Sequence, residues 1–100
     1  MSAGDITQGR RVPDNTKRYG EDSGVRAGDY GRTLCDGDWT WWCRTPRGFG
    51  GNLTHHEILE HEDGTITVSP SILVTTPNHP DPVKAAGWHG YLELGVWREV

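Results

Sequence analysis

Alternating apolar and polar positions begin near residue 38, in the stretch DWTWWCRT. Tryptophan and threonine favour strands, and the stretch ends at Pro46, which cannot donate a backbone hydrogen bond. Side chains of a strand alternate between its two faces, so Trp39, Trp41 and Cys43 share one face and Trp42 lies on the other. The pattern predicts a strand whose first face contributes to a core.

The middle of the chain predicts a hairpin. Asp63-Gly64 is a dipeptide typical of a tight hairpin turn, and Ile66-Thr67-Val68 alternates after it. We therefore predict a strand over residues 56–62; the alternative is a short helix in which Thr54 and Glu57 form a capping box. Pro70 lacks an N–H group, so we expect it to interrupt the strand pairing before residues 72–75 resume as a strand.

The closing stretch, GWHGYLELGVWREV, predicts a second hairpin with strands at 88–93 and 96–100 around a turn at Leu94-Gly95. The predicted fold class is mainly β, a small antiparallel sheet of about five or six short strands with hairpins. We expect seven apolar side chains to form its core: Trp39, Trp41, Ile66, Val68, Ile72, Leu92 and Trp97.

Residues 1–34 show neither strand nor helix periodicity and contain few apolar residues. Such a segment buries too little surface to offset its ordering entropy, so we predict a flexible or partner-ordered N-terminal arm, irregular in structure. Residues 35–100 then form the β-rich domain. The arm has six basic and five acidic residues, a net charge of +1. Because the whole chain has a net charge of −4, residues 35–100 have a net charge of −5.

Composition narrows the function. One hundred residues with 33% hydrophobic positions allow a single small core, which five tryptophans can help to fill. The acidic balance argues against nucleic-acid binding, because phosphates require a basic surface. No apolar run reaches the length of a membrane span, and no leader pattern opens the chain, so we expect a protein of the cytoplasm.

Two cysteines, Cys35 and Cys43, are expected to be reduced thiols in that compartment. On one continuous strand they lie too far apart to bridge. A disulfide becomes possible if the chain turns at Asp36-Gly37-Asp38.

Three motifs carry a resemblance: RTPRG at 44–48, EHEDGTITVSPSI at 60–72, and WHGYLELGVW at 88–97. Together they resemble a family of small bacteriophage and prophage proteins of unknown function, over about residues 39–100. The resemblance implies a phage context and supplies no catalytic residues. A broader related set includes members with zinc-like cysteine spacing, whereas this chain lacks close-spaced cysteine pairs.

Candidate chemistry is sparse. In HEILEH the two histidines are five apart, one too many for the HExxH zinc motif. A weak alternative is a structural zinc held by Cys35, Cys43, His61 and His89. We predict no metal, no cofactor and no catalytic residues.

The candidate binding residues are His89, Trp88, Tyr91, Arg44 and Arg47. His89 could act as a base or bind a ligand stacked on Trp88, although a structural histidine between packed aromatics is favoured. Arg44 and Arg47 flank a glycine-rich loop of a kind that can hold phosphate, and a solvated loop is favoured there too.

Our leading hypothesis is a non-enzymatic phage accessory protein that binds a host or phage protein through its acidic face and basic arm. The alternatives are a small-ligand or nucleotide binder, and a virion component whose arm orders on neighbouring subunits. Homo-oligomers are compatible with each. We expect a protein partner and no membrane partner.

Overall fold

The computed structural model describes residues 6–17, 24–48, 50–74 and 87–100. These residues form nine strands: β1 (Ile6–Gln8), β2 (Arg10–Arg11), β3 (Asp29–Cys35), β4 (Asp38–Arg44), β5 (Gly50–Asn52), β6 (Glu57–Glu60), β7 (Ile66–Val74), β8 (Trp88–Glu93) and β9 (Val96–Glu99). The mainly β fold class is confirmed. In the described parts of the chain there are two sheets, of order β1-β9-β8-β7-β6 and β2-β3-β4-β5, and more strands than predicted. Only β2 and β3 pair in parallel.

The closing hairpin is present as predicted, with β8 and β9 joined at Leu94-Gly95. Both turn residues have positive φ, 49° and 75°, which is the conformation that a two-residue turn needs to match the twist of its strands. A further hairpin joins β3 to β4 at Asp36-Gly37, where φ is 50° and 86°.

The hairpin around Asp63-Gly64 joins β6 to β7, so the strand prediction holds and the helix alternative does not. Its loop is longer than the two residues predicted, because pairing stops at Glu60 and Ile66. Asp63 shapes the loop by accepting hydrogen bonds from the backbone N–H of Thr65, at 3.0 Å, and from the Thr65 hydroxyl, at 2.6 Å.

Pro70 lies inside a continuous strand, which differs from the predicted break. The Ser69-Pro70 peptide bond is cis, and the pairing of β7 with β8 shifts register between Val68 and Ile72. At this bulge Pro70 does not have to donate a backbone hydrogen bond to the neighbouring strand. The strand therefore stays extended, although its hydrogen bonding to β8 is irregular.

The predicted arm supplies three strands to the two sheets. β1 pairs with β9, β2 pairs with β3, and β3 runs across the predicted boundary at residue 34. Tyr30 and Arg32 share the inner face of β3. Because Arg32 is charged, the strand lacks the alternation of apolar and polar residues that would have predicted it. Residues 1–5 and 18–23 of the arm lie outside the described residues.

Gly9 lets the chain pass from one sheet to the other. Its N–H donates to the carbonyl of Gly95 at 2.9 Å, and the next N–H, of Arg10, donates to the carbonyl of Gly28 at 3.1 Å. A side chain at Gly9 would place Cβ only 2.6 Å from the Gly95 oxygen, so the two sheets can approach here only through glycine.

The core contains side chains from both sheets: Tyr30, Cys43, Leu53, Ile66, Val68, Ile72, Trp88, Leu92 and Trp97. Trp88 and Trp97 pack edge to face with ring centroids 5.2 Å apart. Trp41 is half-buried against this cluster.

Trp39 was predicted for the core, but its residue surface is 43% exposed. Trp42, on the opposite face of β4, is 1% exposed. Trp42 is buried because Val12, from the N-terminal segment, covers the face of the four-stranded sheet that points away from the core. Gly31 has no side chain, so it leaves room for the Trp42 ring on that face. Burial on that face therefore depends on residues distant in sequence.

Cys35 and Cys43 are free thiols. The chain does turn at Asp36-Gly37, but Cys35 pairs with Asp38 beside the turn and Cys43 pairs with Tyr30 far along the ladder. Neither cysteine is therefore opposite the other. Within the described residues, no helix is long and apolar enough to span a membrane.

Candidate functional site

His89 and Tyr91 lie on what we call the outer sheet face, the solvent side of the five-stranded sheet. His89 is paired with Leu73 of β7, and Tyr91 with Arg98 of β9. The Arg98 guanidinium carbon lies 4.9 Å from the Tyr91 ring centroid. On its other side, Arg98 pairs with Ile6 of β1, the strand at the edge of the sheet. This face combines exposed apolar side chains with a histidine and an arginine.

In the folded protein His89 lies next to Ser71, which is 18 residues away in the sequence. His89 Nε2 lies 3.0 Å from Ser71 Oγ, the distance of a hydrogen bond. Among the described residues no carboxylate hydrogen-bonds to the His89 ring, so the orienting third group of a hydrolytic triad is missing from this arrangement. The contact is a cross-strand hydrogen bond on an open sheet face.

The other candidate binding residues lie elsewhere. Neighbouring positions on a strand face opposite sides, so Trp88 points into the core, where it is 3% exposed. Arg47 lies in the turn after β4 and pairs with Glu99 at 3.2 Å. Arg44 is half-buried in β4, and part of the predicted glycine loop is β5. These five residues do not converge on one pocket.

The zinc alternative is also dispersed. Cys35 is exposed beside a turn, and Cys43 lies in the core. His61 Nε2 is 2.8 Å from the Thr67 hydroxyl, while His89 is bound to Ser71. The part of the chain that the structure describes has no group of three or more histidine, cysteine or acidic side chains placed to hold a metal.

A surface that sequence reasoning missed lies at the end of the β3–β4 hairpin. We call residues 34–39 the hairpin tip. Leu34 and Trp39 are direct cross-strand partners on one face, and they are 50% and 43% exposed. The sequence signal is Asp36-Gly37 directly before the alternating stretch that begins at residue 38, a pattern typical of a hairpin turn.

Arginine side chains order the tip. The Arg32 guanidinium carbon lies 4.2 Å from the Trp39 ring centroid and 5.7 Å from that of Trp41. Arg32 is itself held by Asp14, whose two carboxylate oxygens accept from Nε and Nη2 at 3.1 Å each. Asn15 Oδ1 accepts the backbone N–H of Leu34 at 2.9 Å. The exposed Trp39 ring is thus supported from behind by residues that are far apart in sequence.

The charges behind the tip compensate one another. Arg11 lies 5.0 Å from the Trp41 ring and forms an ion pair with Glu60, which also lies 3.8 Å from Arg32. Asp14 contacts both arginines. The two arginines and two carboxylates therefore form a closed, nearly neutral cluster, which we call the arginine–tryptophan cluster.

Asp14 makes this cluster sensitive to pH. The hydrogen bond from Arg32, supported by Arg11, holds the pKa of Asp14 below its ordinary value of 3.8. A carboxylate with a lowered pKa contributes stability above its unfolded pKa, and the contribution disappears as the pH falls through the folded pKa.

We therefore expect Asp14→Asn to lower the free energy of unfolding at neutral pH, and the difference from the wild type to shrink below about pH 4. Urea unfolding at a series of pH values measures this. Asp36→Asn is the matched control, because Asp36 has no ion pair among the described residues. A difference for Asp14→Asn that stays constant down to pH 3 would show that the ion pair does not contribute.

No protein-family model, curated protein or solved structure matches this chain. The described residues define the class of molecule: a small, mainly β protein whose described strands form two sheets, with an exposed aromatic hairpin that is braced by an arginine. The resemblance to phage proteins stays a prediction.

Proposed function

We propose that the chain is a non-enzymatic phage accessory protein that acts by binding a host or phage protein, with the hairpin tip as the contact surface. The observation that carries the proposal is the exposed Leu34–Trp39 pair on a braced hairpin. Tryptophan is enriched among residues that dominate binding energy at protein interfaces. An aromatic and an aliphatic side chain side by side in solvent favour a binding role.

The bracing supports this role. Binding is opposed by the entropy lost when interface side chains are ordered, about 0.5–1.5 kcal/mol for each mobile one. Arg32 stacks on Trp39 and is fixed by Asp14, so the ring is largely ordered before any partner arrives. A preorganised tryptophan costs less to bury in an interface.

Three of the six basic residues in the N-terminal region form ion pairs within the protein. Arg10 donates to the buried carboxylate of Asp29 through Nε at 3.0 Å and Nη2 at 2.6 Å, and Arg11 and Arg32 belong to the arginine–tryptophan cluster. Half of the positive charge of the expected basic arm is therefore already compensated within the protein, while Lys17 and Arg26 are exposed. The proposal therefore moves the contact from the arm to the hairpin tip.

The alternative of a small-ligand binder has less support. It used Trp88 as a stacking surface, but Trp88 is packed on Trp97 in the core. With Trp88 only 3% exposed, a ligand cannot stack on its ring in this structure.

Affinity capture tests the proposal. The immobilised protein is incubated with a bacterial host lysate, together with the double variant Leu34→Ala/Trp39→Ala and the control Leu73→Ala. Leu73 is 56% exposed on the outer sheet face, away from the tip, so it matches the loss of an exposed leucine. We expect the wild type and the control to retain the same protein and the double variant to lose it.

Circular dichroism of all three proteins checks that the folds are equal. If the wild type retains nothing that a blank matrix does not, a binding function of this kind is excluded.

A further inference from the structure

We infer that the partner offers an apolar pocket rimmed by lysine and arginine side chains, into which the hairpin tip inserts. The inference rests on the proposed function and adds the chemistry of the partner. It is drawn from the shape of the tip and from the charges around it.

Burial decreases steadily along the inner face of the β3–β4 hairpin. Tyr30 and Cys43 are a buried pair in the core, the next pair on that face is half-buried, and Leu34 and Trp39 are exposed. The hairpin thus continues past the sheet that covers its base. Its end presents one apolar face and a turn of only two residues, a shape that enters a pocket.

The charges next to this apolar face are acidic. Asp36 lies in the turn and Asp38 at the start of β4, both exposed, and neither forms an ion pair within the described parts of the chain. The nearest arginine, Arg32, is already compensated by Asp14 and Glu60. Within the described residues, the tip therefore has two uncompensated negative charges close to Leu34 and Trp39, Asp36 in the turn and Asp38 on the face of β4 opposite Trp39.

A complementary surface must be apolar in its centre and basic at its rim, because like charges opposite the carboxylates would cost binding energy. The same carboxylates disfavour insertion into a lipid bilayer, where an acidic side chain is expensive to desolvate. The tip thus favours a protein pocket over a membrane surface, although both would accept the tryptophan.

Cys35 gives direct access to the contact. It is exposed between Leu34 and Asp36, whereas Cys43 is 1% exposed, so a maleimide reagent reacts at the tip. We would attach benzophenone maleimide to Cys35, irradiate the protein in the host lysate and identify the crosslinked peptide by mass spectrometry. The variant Cys35→Ser, treated in the same way, is the control for labelling elsewhere. We expect one partner whose crosslinked peptide lies beside lysine or arginine residues.

Binding kinetics with that purified partner test the charge argument. Steering by opposite charges raises association rates at low salt and is screened at high salt. We expect Asp36→Asn/Asp38→Asn to lower the association rate by about tenfold at low salt, with little difference at about 1 M salt. Leu34→Ala/Trp39→Ala should raise the Kd by at least about tenfold at both salt concentrations, as expected for loss of a hot spot.

The outcomes separate the two proposals. A captured protein that does not crosslink to the labelled Cys35, or that binds all tip variants equally, overturns the basic-rimmed pocket and leaves the binding function. Capture of no protein overturns both. Vesicles of phosphatidylcholine and phosphatidylglycerol form a further arm: a blue shift of tryptophan fluorescence with vesicles that Trp39→Ala abolishes would replace the protein pocket with a lipid surface.

Discussion

Trp97→Ala is expected to lower the free energy of unfolding by about 3–5 kcal/mol, the largest loss of any substitution considered for this protein. The Trp97 side chain is fully buried at 0% exposure, packs edge to face on Trp88, and lies between the two sheets. Removing a buried tryptophan side chain costs about 3–5 kcal/mol, because the surrounding structure cannot collapse into the cavity. Small domains are stable by only about 5–15 kcal/mol, so the variant loses much or all of its stability.

Trp97 also connects the sheets by a hydrogen bond. Its Nε1 donates to the carbonyl of Gly28 at 2.8 Å, in the turn that leads into β3. Trp97→Phe removes the donor and part of the ring, and the Gly28 carbonyl keeps its hydrogen bond from the Arg10 N–H. We expect it to destabilise the protein by less than Trp97→Ala: the lost hydrogen bond contributes about 0.5–1.5 kcal/mol, and the smaller ring adds a further loss of packing.

Urea unfolding followed by circular dichroism measures both variants. Trp39→Ala is the matched control, since it removes the same side chain from a position that is 43% exposed. Equal midpoints for Trp97→Ala and Trp39→Ala would contradict the assignment of Trp97 to the core.

The second large effect is expected from Gly90→Ala. Gly90 lies on the inner side of β8, beneath the Trp88 ring. An added Cβ would lie 2.3 Å from the backbone oxygen of Arg98 and 2.4 Å from Cη2 of Trp88. Neither neighbour can move freely, because one is the backbone of the paired strand and the other is a buried ring. Overpacking of this kind costs about 1–3 kcal/mol and sometimes more.

The neighbours of Gly90 provide controls within the same strand. His89 is exposed on the outer sheet face, so His89→Ala should change the free energy of unfolding by less than about 0.5 kcal/mol. Tyr91 is 36% exposed and packs on Arg98, so Tyr91→Ala should cost more than His89→Ala but less than Gly90→Ala. Thermal unfolding of the three variants gives the comparison. A large loss in His89→Ala would instead assign a structural role to its hydrogen bond with Ser71.

Local turn chemistry made the hairpins predictable. Asp63-Gly64 and Gly95 favour turns through their own backbone preferences, and the alternation on either side assigns the strands. Buried positions in these hairpins, such as Ile66, Leu92 and Trp97, follow from the same alternation. These features depend on residues close together in sequence, so the sequence contains the information.

The missed strands show what local patterns omit. β3 places Arg32 on its inner face, where a hydrophobic pattern requires an apolar residue, and β1 and β2 are too short to show any period. Arg32 is stable in that position because its flat guanidinium stacks on Trp39 and lies near Trp41, and its charge is paired with Asp14. Those partners become neighbours only after the chain has folded.

The sequence alone therefore determined the β class, two hairpins and most of the core, because turns and alternation act over a few residues. Only the tertiary structure decided which tryptophans are buried. Alternation puts Trp39 and Trp41 on the same face, but it does not say where the covering sheet ends or that Val12 covers Trp42. Burial is a property of what packs opposite a residue, and the hairpin tip is exposed because nothing in the described structure packs opposite it.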